Sequence, residues 1–296
     1  MAVATRLIRR RITSIRNTRK ITKAMELVSA SKMRKCVQMA VSSRTYSDAS
    51  RALVHEIMHR VDPTLHALLA GHRPHAKGKK GSTIIAVCSS DRGMCGGFNA
   101  QGIKKVLEFM KGRDGEFLEI VSIGQRAERV LRKTGTPIIA SFEAISNAPS
   151  FARTTPVSKL LTDAFVSGEA DRVFIAYMKF DGAMKQTPTV EQIFPIIPEA
   201  LLKDEKNAPQ HDELLFEPDP NAVLDRLLPK LVETRIYQAL LESSASEHSA
   251  RMIAMRSATD NASSMLSDLT LMFNQARQSA ITQEISEISA GKAALE

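Results

Sequence analysis

The chain has 296 residues, 43% of them hydrophobic, which suits one or two domains with a packed core. Its apolar runs, such as residues 84–88, are too short to cross a bilayer, and no apolar signal region opens the sequence. The formal net charge is +9, yet residues 1–62 carry 14 Lys/Arg against 4 Asp/Glu while residues 221–296 carry 7 against 9. One basic segment therefore accounts for the imbalance, and such a segment seeks phosphates, anionic lipid or acidic protein. The cysteines Cys36, Cys88 and Cys95 show neither metal spacing nor a disulfide pattern, which fits a reducing compartment.

Residues 4–60 read as one long helix, and residues 1–62 as a coiled-coil segment. Ile8, Ile12, Ile15, Thr18, Ile21, Met25, Val28 and Met33 trace a narrow apolar stripe. Arg6, Arg9, Arg10, Arg11, Arg16, Arg19, Lys20 and Lys23 occupy the other faces. A narrow seam of this kind suits a coiled coil with an antiparallel mate. The Arg-rich, acid-poor start also has the composition of an organelle transit peptide, but the helical pattern runs on without a cleavage-like break. The basic surface admits three readings: a solvated face, a nucleic-acid binder, or a partner for acidic protein. Residues 1–45 hold no aromatic to stack on a base, which speaks against the second.

Thirteen of the 14 glycines fall between Gly71 and Gly182, so an ordinary globular domain, residues 80–200, follows the helix. Strands are expected at 84–89, 117–123, 137–142, 172–180 and 189–197, with helices after residue 97, at 125–133 and at 155–167. Asp181-Gly182 reads as a hairpin signal. Strands alternating with helices predict an α/β fold, a doubly wound parallel sheet with an antiparallel extension.

The turn Asp91-Arg92-Gly93-Met94-Cys95-Gly96-Gly97 follows the first strand, where such folds hold phosphates. It matches neither G-x-x-x-x-G-K-[ST] nor G-x-G-x-x-G. Cys95 as a nucleophile needs a base, and no histidine lies between His75 and His211. The turn is expected to be structural. His66 and its neighbours read as helix-surface or linker residues. No set of residues is arranged for acid–base or nucleophilic chemistry.

An acidic linker, 201–220, leads to a last helix, 221–296. Asp219-Pro220 is a good helix start, with Asp as cap and Pro in the first turn. Pro229 predicts a kink or short break near Leu228. From Lys230 to Ala290 the chain has neither glycine nor proline over 61 residues. Met252, Met255, Leu266, Leu269, Phe273, Ile281, Ile285 and Ile288 recur at helical spacing, far beyond a usual globular helix.

Three segments carry a resemblance over essentially the whole length. They are Ile21-Thr22-Lys23-Ala24-Met25-Glu26 with Ser31-Lys32-Met33-Arg34-Lys35, then Ser89-Ser90-Asp91-Arg92-Gly93 with Cys95-Gly96-Gly97, and Arg251-Met252 through Ala258-Thr259-Asp260-Asn261 to the run 274–284. In order and spacing the chain resembles the gamma subunits of F-type ATP synthases. The resemblance implies an antiparallel coiled coil of the two terminal helices inside a ring of three alpha and three beta subunits. It implies contact with the epsilon subunit and the c-ring, no nucleic acid, no cofactor and no catalysis by this chain. It implies a peripheral place on the cytoplasmic face of a bacterial inner membrane, with an organellar inner membrane as the alternative. By position, Arg277 and Gln278 match a pair that engages a loop of a beta subunit, with Thr282 one turn on. Met25 matches a position near an acidic loop of beta, with Lys23, Lys32, Arg34 and Lys35 around it, Arg251 one tied to energy coupling, and Phe216 and Glu217 the foot on the c-ring. Tyr is common at the position of Phe216 in that family, and the helix often continues through that of Pro229.

Overall fold

A computed structural model describes residues 2–58, 66–70, 81–113, 115–145, 149–196, 217 and 219–293. Two compact units divide the chain: residues 1–30 with 251–296, and residues 31–250. Two long helices contribute to both units, α1 (Ala2–Met58) and α6 (Pro220–Ala293).

The unit of residues 31–250 is built on a five-stranded sheet: β1 (Ser82–Cys88), β2 (Phe117–Ile123), β3 (Ile138–Phe142), β4 (Arg172–Phe180) and β5 (Gln186–Phe194). The strand order is β3-β2-β1-β4-β5. The first four strands are parallel and β5 is antiparallel to β4, as the alternation of strands and helices predicts. Between them lie α2 (Ala67–Ala70), α3 (Phe98–Lys111), α4 (Gln125–Leu131), a 3-10 turn (Arg132–Thr134) and α5 (Phe151–Val166).

Successive strand residues point to opposite faces. Ile84, Ala86, Val121, Ile123, Val173 and Ile175 therefore join one core, with Leu161 and Phe165 of α5 and with Leu224 through Leu240 of α6. Ile85, Val87, Ile120 and Ala176 join the other, beneath Ile103 and Val106 of α3 and Leu131 of α4. Covered on both faces, β1 is a continuous apolar run. At the turn into α4, Gly124 has φ +97, and a Cβ there would lie 2.1 Å from the carbonyl oxygen of Ser89. Only glycine fits that approach.

Helix α6 begins as its sequence predicts: Asp219 Oδ1 accepts from the N–H of Ala222 at 3.0 Å. The expected break at Pro229 is absent, and the helix runs through it. Proline removes one N–H and crowds the carbonyl four residues earlier, at a cost of about 3 kcal/mol in a free helix. Here Leu224, Leu228, Leu231 and Val232 are all but fully buried, and that packing outweighs the loss. His66 is also more than a linker residue. Its Nδ1 accepts from the N–H of Leu68 at 3.1 Å, and its Nε2 lies 3.0 Å from Asp225 Oδ1, tying α2 to α6.

Candidate functional site

In the unit of residues 1–30 and 251–296, α1 and α6 run antiparallel. The hydroxyls of Thr22 and Thr259 meet at 2.8 Å, and the Arg9 guanidinium sits 5.3 Å from the ring centre of Phe273. On α6 the least exposed positions are Met255, Thr259, Ala262, Leu266, Leu269, Phe273, Ala276 and Ala280, in alternating steps of four and three. On α1 they are Ile8, Ile12, Ile15, Thr22, Glu26 and Ser29, in the same frame. A mean step of 3.5 residues is the heptad of a left-handed coiled coil.

This seam departs from the stripe read off α1. Beyond Ile15 that stripe followed the largest apolar residues, and Ile21 and Val28 prove 60% and 55% exposed. The buried positions are instead Thr22 and Ser29. Small side chains let the helices approach closely, so the seam here is polar and narrow. The apolar residues beside it face outward: Leu7, Ile21, Leu27 and Val28 on α1, Met265, Leu271 and Met272 on α6. Past Ala280 the seam ends. Residues 281–290 of α6 are exposed on every side, with Ile288 at 73%.

The residues singled out in the sequence fall into three places. Lys23 is exposed and its Nζ pairs with Glu26 at 3.0 Å, while Met25 is half-buried beside it. Arg277, Gln278 and Thr282 are exposed near the end of the seam. They lie about 20 residues, roughly 30 Å, along α6 from the level of Met25. Arg251 is 7% exposed, so most of its side chain is enclosed by the chain itself. Glu217 is exposed, and Phe216 lies outside the described residues.

The turn after β1 is closed on itself. Ser90 Oγ donates to the carbonyl of Arg92 at 2.7 Å, and Asn99 Nδ2 lies 2.7 Å from Ser90 Oγ and 3.1 Å from Cys95 Sγ. Cys95 is buried. Burial pushes the Cys88 thiol up to about 12, far from a reactive thiolate. Among the described residues no cluster could hold a metal ion, and no helix is long and apolar enough to cross a membrane.

The sequence reading missed a run on α6. Ser243, Ser244, Ser246, Glu247, His248 and Ser249 are all buried. Cys36 Sγ lies 3.3 Å from Ser244 Oγ, and burial raises that thiol's pKa against the pull of this hydrogen bond. Gln238 donates to Glu242 at 3.3 Å, and Arg44 stands 3.8 Å from the same carboxylate. The density of small residues in 242–250 was the available signal, since such a run lets backbones pack closely.

A family model described as "ATP synthase" matches residues 4–295. The ATP synthase gamma chain of Stenotrophomonas maltophilia is 40% identical over 293 residues, covering 98% of this chain and 99% of its own. That of Methylobacillus flagellatus is 37% identical over 290 residues, covering 97% and 98%. Among solved structures, a chain of the Euglena gracilis mitochondrial ATP synthase (OSCP/F1/c-ring, rotational state 3) aligns with TM-score 0.66 at 19% identity, over 100% of this chain and 95% of its own. A chain from the central stalk and c-ring of the Tetrahymena thermophila mitochondrial ATP synthase aligns with TM-score 0.59 at 21% identity, over 80% and 99%. At those identities the two structures speak for the fold, and the bacterial relatives for the family. The chain belongs to the ATP synthase gamma-chain family.

Proposed function

We propose that this chain is the central-stalk rotor of an F-type ATP synthase, coupling proton-driven rotation of a c-ring to the conformational cycle of the catalytic beta subunits. The observation that carries this reading, beside the family, is the surface of the two-helix unit. It holds a stiff seam, an outward apolar surface that other chains must cover, and a lone helical tip beyond Ala280. The partners are three alpha and three beta subunits around the helices, and epsilon and the c-ring at the sheet unit. The chain does no chemistry itself, and it reaches the cytoplasmic face of the inner membrane through the complex.

Torque needs grip as well as stiffness. Arg277 offers a charge-assisted fork and Gln278 an amide, both exposed, with Thr282 one turn on. Their exposure suits a loop of beta that engages and releases at each step. Lys23 and Met25 face an acidic loop of beta, Arg251 braces the helix from within, and Phe216 with Glu217 forms the foot on the c-ring. An exposed ion pair is worth about 0–1 kcal/mol, so no single side chain carries the coupling. Charge reversal, Arg277→Glu, is expected to lower ATP-driven proton pumping well below that of Arg277→Ala in membranes with equal amounts of complex. Equal and near-wild-type pumping in both variants would remove the grip from this site.

A further inference from the structure

Doubly wound sheets hold ligands in the crevice beyond the carboxyl ends of the strands, at the point where strand order reverses. In this sheet the chain steps from β1 outward to β2 and β3, then returns to β4 on the other side of β1. The switch point therefore lies between the ends of β1 and β4. The crevice there, among Val87, Phe98, Gly102, Ala176 and Met178, encloses about 10 Å³. That is room for at most one water.

The strand end leaves a polar group to be satisfied. Pairing of β4 with β1 stops at Ala176, and Met178 stands opposite Pro188 of β5, which has no N–H to give. The carbonyl of Met178 finds its donor on α6 instead: Ser246 Oγ, fully buried, at 3.0 Å. Three residues on, Ser249 Oγ donates to the carbonyl of Ala183 in the β4–β5 turn at 2.5 Å. Ala250 packs against Cys95, Phe98 and Met178, so the turn after β1 closes the third side.

We propose that this switch point is a keyed socket in which the protein's own helix takes the place of a ligand, and that it locks α6 against rotation about its axis relative to the sheet. The apolar face from Leu224 to Leu240 supplies adhesion, but apolar packing is non-directional and resists twisting weakly. Hydrogen bonds have angular preferences, and two at i and i+3, one buried and one half-buried, fix the helix phase. Resting on the rotor reading, the socket is the joint through which torque passes between the sheet unit and the helix. Ser246 and Ser249 are its positioning residues.

The test is the double variant S246A/S249A in the assembled membrane complex. The readout is ATP-driven proton uptake divided by ATP hydrolysis, per complex assembled. The ratio is expected to fall roughly threefold or more, because the Met178 carbonyl loses its buried donor and the half-buried Ala183 carbonyl keeps only Gln186 Nε2, at 3.0 Å. Leu231→Ala, which weakens adhesion only, should reduce the amount of complex and leave the ratio alone. A double variant that behaves like Leu231→Ala, or like the wild type, overturns the proposal. Hydrogen exchange on the full chain supplies a second readout. Amides of residues 176–190 should exchange about tenfold faster than in the wild type, relative to those of β2. Unchanged exchange there overturns the lock whatever the complex does. A wild-type complex that hydrolyses ATP without pumping would count against the rotor reading instead.

Discussion

Helix α6 has two characters. From Leu231 to Ser249 most side chains are buried, serines, Glu247 and His248 included. From Arg256 to Ala290 one position in three or four is covered as far as Ala280, and none beyond it. Composition does not separate the stretches, since neither holds glycine or proline. Their surroundings do. In its own unit the first stretch is enclosed by a sheet, a hairpin and two helices; the second lines a single helix. Burial along this chain is decided by how many neighbours a helix has. Inside, Ser246 finds the end of β4, Ser244 finds Cys36 of α1, and Thr234 bonds back to its own helix.

That contrast predicts a graded response to substitution. The sheet unit should be least forgiving where backbones touch. Gly124→Ala forces a positive φ on alanine and drives its Cβ into the Ser89 carbonyl, so a loss of about 3 kcal/mol or more is expected by urea unfolding. Next come paired truncations of the two stretches. Ile236→Ala, at a fully buried site, should cost about 3 kcal/mol, and Phe273→Ala, in the half-open seam, about 1.5 kcal/mol. Equal costs would erase the distinction between the stretches.

A smaller effect tests the amino ends of the inner strands by pH. Burial alone would raise the Glu116 pKa, but hydrogen bonds from Thr83 at 2.7 Å and Arg113 at 3.0 Å, with the charge of Arg172, hold it below the ordinary value. Arg113 itself rests against the rings of Phe109 and Phe174. A lowered folded pKa stabilises the protein above the unfolded carboxylate value of about 4.3, and that gain is lost as pH falls through the folded value. Glu116→Gln should therefore cost about 1 kcal/mol at pH 7, and the gap to the wild type should close from about pH 4 downward. A constant gap across that range would show that the charge does not matter there. Smallest of all, Ile285→Ser on the open tip should change stability by less than about 0.5 kcal/mol.

The same contrast explains what was legible in the sequence. The sheet was readable because buried strands are runs of large apolar residues: 117–123 and 172–180 were bounded as the structure has them. The cap at Asp219 was readable because its chemistry is local. The seam of α1 was not, because a pattern search selects Ile21 and Val28, while the partner helix selects Thr22 and Ser29. Ile21 and Val28 are left on the outside of the two-helix unit, where the proposed rotor role gives them a protein partner. The continuity through Pro229 and the burial of 243–249 depend on tertiary neighbours, which no local pattern contains. Of the residues proposed to face a partner, Arg277, Gln278 and Thr282 came from family resemblance. Periodicity alone places them on an open face and says nothing of their partner.

The central claim is that this chain is gripped by a ring of larger subunits. It is tested most directly by native mass spectrometry of what co-purifies with the tagged chain from detergent-solubilised membranes. The account predicts one copy held by three alpha and three beta subunits, with ATPase activity in the same fraction. A bare chain, or a chain bound to nucleic acid through its basic helix, would contradict it.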